Sequence, residues 1–227
     1  MKLLSEDRHM NIPKLKANGI FLDLDGTIVD STEAYIEAAK IAFGAIGQKL
    51  PERTLLFEIP RRLEQGLTIN SLIEGDAKRF LRVYLDAYYS VTETKTKLLP
   101  NVAAALEALS QKSKLALITM RHVPNRTMQK ELDYFGIAKY FSHIVTALDT
   151  SKPKPSPEAL IKCIENLDVD MRDCIMAGDS VNDVRAGKAA GARTVALLSG
   201  LFECSELAAE SPDLILRDVT SLSDFIK

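Results

Sequence analysis

No apolar run in the chain approaches the roughly 18 residues that a helix needs to cross a bilayer. The opening MKLLSEDRHM lacks the apolar stretch and small-residue cleavage site of a secretory signal. Both absences argue for a soluble, cytoplasmic protein with no membrane role, and residues 1–16, of mixed charge and little pattern, are expected to form a loose leader. Cysteine is scarce. Cys163, Cys174 and Cys204 stand in no CxxC pair and beside no histidine, which argues against a disulfide framework and a structural zinc site. Each falls in a stretch that reads as helix or strand, where a free thiol behaves as a small buried apolar group. An excess of one charge is missing too: 29 Lys and Arg face 31 Asp and Glu. Nothing therefore marks a nucleic-acid surface or a polyanionic tail. His9, His122 and His143 share no metal-ligand spacing, and His122, three residues after Thr119, reads as a loop residue or at most a pocket rim.

What is present is an ordinary globular composition, 46% hydrophobic over 227 residues, enough for one sizeable core and a smaller insert. Five short runs are nearly continuous in apolar residues: 19–24 (GIFLDL), 114–119 (KLALIT), 143–147 (HIVTA), 174–178 (CIMAG) and 193–198 (RTVALL). Runs of this kind fit strands buried on both faces of a sheet. A weaker sixth is 213–216 (DLIL). Between them lie helical patterns, with Ala34, Ala38, Ile41 and Ala45 on one face, Met128, Leu132 and Phe135 on another, and Leu160, Ile161, Ile164 and Leu167 on a third. Ser156 and Pro157 read as N-cap and first turn of the last of these, and Gly191 as the close of a helix beginning near Asn182. The alternation predicts an α/β fold: a Rossmann-like parallel sheet core flanked by helices.

One region breaks the alternation. Residues 47–98 contain no convincing strand, while Ile73, Ala77, Phe80, Leu81, Tyr84 and Tyr88 hold one helical face. This predicts an all-helical insert at 47–98, with Leu98-Leu99-Pro100 as its return hinge and residues 1–46 and 99–227 as the core. Ligands of open α/β sheets bind at the carboxyl ends of the strands, so an insert leaving the first strand is expected to act as a cap.

The chemistry-bearing residues collect at those expected strand ends: Asp23-Leu-Asp25-Gly-Thr27, Thr119, Lys154, and Gly178-Asp179-Ser-Val-Asn-Asp183. Asp23 and Asp25 are two apart, so on an extended segment they point the same way. Carboxylates held close stay ionised only where a cation compensates, and a hard divalent ion with oxygen ligands, Mg²⁺, suits Asp23, Asp25, Asp179 and Asp183. Adding the Lys154 charge and the Thr119 hydroxyl gives surroundings fit for a phosphoryl group. Each element also has a plain structural reading: an Asp-Gly turn, a strand-terminal Thr, solvated lysines in a Pro-stiffened loop, helix-capping aspartates. Arg61, Arg62 and Gln65 read either as contacts for a distal anionic group of a substrate or as a solvated helix face.

Taken in order, FLDLDGTIVDS, a hydrophobic strand ending in Thr119, Lys-Pro, and MAGDSVNDVRAGKAAGA resemble the haloacid dehalogenase-like hydrolase superfamily, in its branch with a helical cap after the first motif and close to phosphoglycolate-phosphatase-like members. The resemblance runs from about Gly19 to the C-terminus. It implies Asp23 as the nucleophile that becomes an aspartyl-phosphate, and Asp25 as general acid/base with its backbone carbonyl on the metal. It also implies Thr119 binding the phosphoryl group, Lys154 neutralising Asp23 and the phosphate, Asp179 as a direct Mg²⁺ ligand, and Asp183 ordering metal waters or Lys154. In SKPKPSPEAL, Lys154 fits the family's Lys-Pro-x-Pro register, with Lys152 as the other choice. The expected activity is a phosphoric monoester hydrolase acting on a small phosphorylated metabolite. A phosphomutase of the β-phosphoglucomutase type, an aspartyl-phosphate receiver domain and a non-catalytic binding module are the competing readings, and monomer and homodimer both stay open.

Overall fold

The computed structural model describes residues 14–227. The expected leader falls outside them up to position 13, together with His9; its last part is not loose, since the Leu15 N–H donates to the Phe225 carbonyl at 2.6 Å. In chain order the elements are β1 (Gly19–Leu22), β2 (Val29–Asp30), α1 (Thr32–Ala45), α2 (Arg53–Glu64), α3 (Ala77–Lys95) and β3 (Lys97–Leu98). There follow α4 (Val102–Ser110), β4 (Lys114–Ile118), α5 (Asn125–Tyr134), β5 (Phe141–Val145), α6 (Glu158–Leu167) and β6 (Cys174–Gly178). The chain closes with α7 (Val181–Ala190), β7 (Arg193–Leu197), α8 (Cys204–Ala209) and β8 (Leu214–Leu216). Among the described residues no helix is long and apolar enough to cross a membrane.

The chain forms two compact units, one taking it up to Val29 and again from Leu98, the other comprising Asp30–Lys97. The first holds a six-stranded sheet, ordered β5-β4-β1-β6-β7-β8, with every neighbouring pair parallel. Its strands alternate between two buried clusters. Ile20, Leu22, Leu115, Leu117, Ile175 and Ala177 join the core that includes Met128 and Leu132 of α5, while Phe21, Ala116, Ile118 and Met176 join Leu160 and Cys163 of α6. Burial on both faces is why the strands carry nearly unbroken apolar runs.

The strand order also locates the site. From β1 the chain moves outward to β4 and β5, then returns to β6 on the opposite side of β1. That reversal is the switch point where open α/β sheets leave a crevice at the carboxyl ends of the strands. Leu22 is level with both Leu117 and Ala177, so Asp23 leaves the sheet beside the ends of β4 and β6.

The second unit is helical. Ala34, Ala38, Ala42 and Phe43 of α1 bury against Phe80, Tyr84 and Tyr88 of α3. Tyr35 stacks on Tyr88 at 5.3 Å and Phe43 meets Phe80 edge-on at 4.8 Å. Helix α1, expected with the sheet core, thus belongs to the helical unit, because its Ala-rich face lets the aromatic face of α3 approach closely. The same packing corrects the expected stripe: Ile41 is 42% exposed while Ala39 and Ala42 are buried. On α6, Ile161 likewise faces outward and Cys163 inward. That helix starts one residue later than expected, with Pro157 at the cap position and the Ser156 hydroxyl accepting the Glu158 N–H.

Candidate active site

The Asp23 backbone N–H donates to the Ala177 carbonyl of β6, tying the residue after β1 to its neighbour. The turn after it closes on Leu24, whose carbonyl accepts the N–H groups of Ile28 and Val29 at 2.8 and 3.0 Å. Gly26 makes this possible at φ +82°, a left-handed conformation that disfavours a side chain. A Cβ there would lie 2.5 Å from Asp179 Oδ2, so the glycine also leaves room for that carboxylate. Thr27 donates its hydroxyl to Asp179 Oδ1 at 2.9 Å in a fully buried bond.

Lys154 supplies the opposing charge. Its ammonium lies 2.6 Å from Asp23 Oδ1 and 2.6 Å from Asp183 Oδ1, and only 3% of the residue is exposed. Lys152 is exposed. Glu158, at the start of α6, fastens the preceding loop by accepting from the Ser151 N–H and hydroxyl, both at 2.8 Å, and from the Lys152 N–H at 3.0 Å. The Ser151 bonds, with the backbone one foremost, hold the Glu158 carboxyl below its ordinary range.

Asp183 has two duties. Its Oδ2 accepts the Ser180 N–H and hydroxyl at 3.0 and 2.8 Å, its own N–H donates to the Ser180 hydroxyl oxygen at 3.2 Å to complete the capping box of α7, and Oδ1 faces Lys154. The helix cap is therefore Ser180 and not Asp179. Asp23, Asp179 and Asp183 bring carboxylate oxygens within 4.8 Å of one another, all three buried. Three buried carboxylates around one ammonium leave two negative charges, the complement of one divalent cation. The all-oxygen donor set suits a hard ion such as Mg²⁺, and a Cβ at Gly200 would fill the space now held by Asp179. The residues fit the ion.

Asp25 departs from the expected geometry. The strand ends at Leu22, so Asp25 lies in the turn and its carboxylate is not part of the buried trio. It pairs instead with Arg121, Nε to Oδ2 at 2.8 Å and Nη2 to Oδ1 at 2.6 Å. Arg121 Nη1 reaches both oxygens of Glu131 on α5, at 2.8 and 2.7 Å. The two aspartates avoid mutual repulsion by facing separate cations. Thr119, directly after β4, is buried; its N–H donates to the Val145 carbonyl and its hydroxyl accepts the Arg121 N–H at 3.1 Å.

Arg121 and Glu131 escaped the sequence reading, which named Thr27 in the first cluster without giving it a role. Glu131 was detectable: it lies three residues after Met128 and four before Phe135, on the apolar face of α5, where a carboxylate calls for a buried cation. Arg61 lies on α2 of the helical unit, 3.9 Å from Glu58. Arg62 and Gln65 serve that unit internally, Arg62 bonding Glu58 at 2.9 Å and Ser71 at 2.8 Å, and Gln65 the Arg61 carbonyl at 3.3 Å. His122 is exposed.

Residues 20–197 match the haloacid dehalogenase-like hydrolase family. The chain is 31% identical over 229 residues to phosphoglycolate phosphatase of Escherichia coli, with 90% of each sequence covered. A solved haloacid dehalogenase-like family hydrolase from Streptococcus pneumoniae superimposes with a TM-score of 0.77 at 21% identity, over 92% of this chain and 98% of the other. A predicted phosphoglycolate phosphatase from Haemophilus somnus gives 0.74 at 25% identity, over 92% and 97%.

Proposed function

Since the chain belongs to the haloacid dehalogenase-like hydrolase family, we propose that it is a Mg²⁺-dependent phosphatase of small phosphomonoesters working through an aspartyl-phosphate on Asp23. The observation that carries this reading is the buried Lys154 ammonium bridging Asp23 and Asp183, beside Asp179. The phosphoglycolate phosphatase relative supports a small phosphorylated acid as the substrate class.

Asp23, Asp179 and the Asp25 backbone carbonyl would hold the cation, with Asp183 supporting it. Once bound, the ion neutralises phosphoryl oxygens and lets an anionic nucleophile approach an anionic ester.

The chain's own groups divide the chemistry. An Asp23 oxygen forms a bond to phosphorus as the bond to the ester oxygen breaks, and that oxygen leaves with the electron pair. Asp25, carrying a proton, delivers it to the departing oxygen; as a carboxylate it then takes a proton from water. The water oxygen bonds to phosphorus, the bond to Asp23 breaks, and inorganic phosphate departs with the free carboxylate restored. Lys154 holds Asp23 in one orientation and offsets its charge, while the Thr119 hydroxyl donates to a phosphoryl oxygen. Substrate selection is assigned to the helical unit, with Arg61 its candidate anion contact.

A panel of small phosphomonoesters, with Mg²⁺ and EDTA arms, tests the reading. The expected result is Mg²⁺-dependent phosphate release that Asp23→Asn abolishes while the fold is kept. Retained turnover in that variant would overturn the mechanism, and isomerisation of a sugar phosphate without phosphate release would identify a mutase.

A further inference from the structure

Behind Asp25 stands an ion triad, Asp25–Arg121–Glu131, whose last two members are buried. We infer that Arg121 is a positioning residue for Asp25, itself aimed by Glu131, so that a two-step relay from α5 fixes the direction of the proton-transferring carboxyl. This rests on the acid/base reading of Asp25.

The geometry is that of a rigid fork. One edge of the guanidinium holds both Asp25 oxygens at 2.8 and 2.6 Å, and Nη1 holds both Glu131 oxygens at 2.8 and 2.7 Å. A planar group gripped at two sites cannot turn about its own axis, which a lysine ammonium could. The backbone is pinned as well: the Arg121 N–H donates to the Thr119 hydroxyl at 3.1 Å, and its carbonyl accepts from Ala147 at 3.1 Å. Thr119, whose hydroxyl is the candidate hydrogen-bond donor to the phosphoryl group, and Arg121 therefore form one rigid piece just beyond β4.

Energetics favour an orienting role over a purely stabilising one. Arg121 and Glu131 are 3% and 8% exposed, and desolvating such groups offsets most of their attraction. An apolar pair would join α5 to this loop at no greater cost. What an apolar pair cannot do is aim a carboxyl group. Asp25, at 16% exposed, is the member of the triad that remains most open.

The test compares Arg121→Lys, Glu131→Gln and Asp25→Asn with the wild type on two esters, an alkyl phosphate and p-nitrophenyl phosphate, with Mg²⁺ present. Alkoxide departure needs a proton; p-nitrophenolate leaves without one. Misaiming Asp25 should therefore lower alkyl phosphate turnover by about 10²-fold or more. The first-turnover burst of p-nitrophenolate should stay within a few-fold of wild type. Glu131→Gln keeps side-chain size and carries the test should Arg121→Lys fail to fold. Equal loss on both esters and in both phases would make the triad a structural tie and overturn the inference, as would unchanged turnover. A rise confined to KM would place Arg121 on the substrate and also overturn it. If Asp25→Asn shows the split and the other two variants do not, the relay alone fails; if Asp25→Asn lacks the split, the acid/base reading fails with it.

Discussion

The Lys154 ammonium lies 2.6 Å from Asp23 Oδ1, and both residues are almost wholly withdrawn from water. The two lie 131 residues apart in the sequence, and Asp23 shares the one ammonium with Asp183. Lys154→Met leaves Asp23 and Asp183 facing each other without a cation, a loss of roughly 3–5 kcal/mol of stability. Urea denaturation in EDTA should show it. Combining the change with Asp183→Asn should restore part of the stability and none of the turnover.

A divalent cation should stabilise the fold in the absence of any substrate. At about a hundred times its dissociation constant, Mg²⁺ should add roughly 2.7 kcal/mol, read as a raised thermal midpoint that EDTA reverses. Asp179→Asn should remove most of that shift while leaving the midpoint in EDTA near or above the wild-type value, since a buried negative charge has gone.

Gly200→Ala tests the space around Asp179. A methyl group there would collide with the carboxylate, so the Mg²⁺-dependent thermal shift and the turnover should fall together. A full shift in this variant would mean that Asp179 is not a ligand.

The thiols should respond unequally. Burial pushes Cys163 up to about 12 and Cys174 up to about 11, so the reactive thiolate is scarce in both near neutral pH. A thiol reagent at pH 8 should label half-buried Cys204 and spare the other two until the protein is denatured. Because the unfolded thiols ionise first, these two cysteines also make the fold less stable as pH rises above about 9.

Much of this was readable from the residues. The strands announced themselves because burial on both faces demands unbroken apolar runs such as IFL and CIMAG. The aspartates at 23, 25, 179 and 183 stood out because carboxylates directly after such runs are costly without a purpose. The Ala-rich α1 was harder to orient, since Ala offers several near-equal stripes and only the aromatic face of α3 selects one. The destination of Asp25 could not be read from its own neighbourhood. Its partner lies 96 residues away, and the local spacing pointed both carboxylates toward one ion. Glu131 does not stand out, because its neighbours Gln129, Lys130 and Asp133 are polar.

The most direct measurement is to identify the phosphorylated residue. In Asp25→Asn, with no base for the second step, the acyl phosphate should accumulate on mixing with Mg²⁺ and p-nitrophenyl phosphate, whose leaving group needs no proton. Acid quench, borohydride reduction and peptide mapping should then find homoserine at position 23 and nowhere else. Homoserine at another aspartate, or none while substrate is still being turned over, would contradict the account.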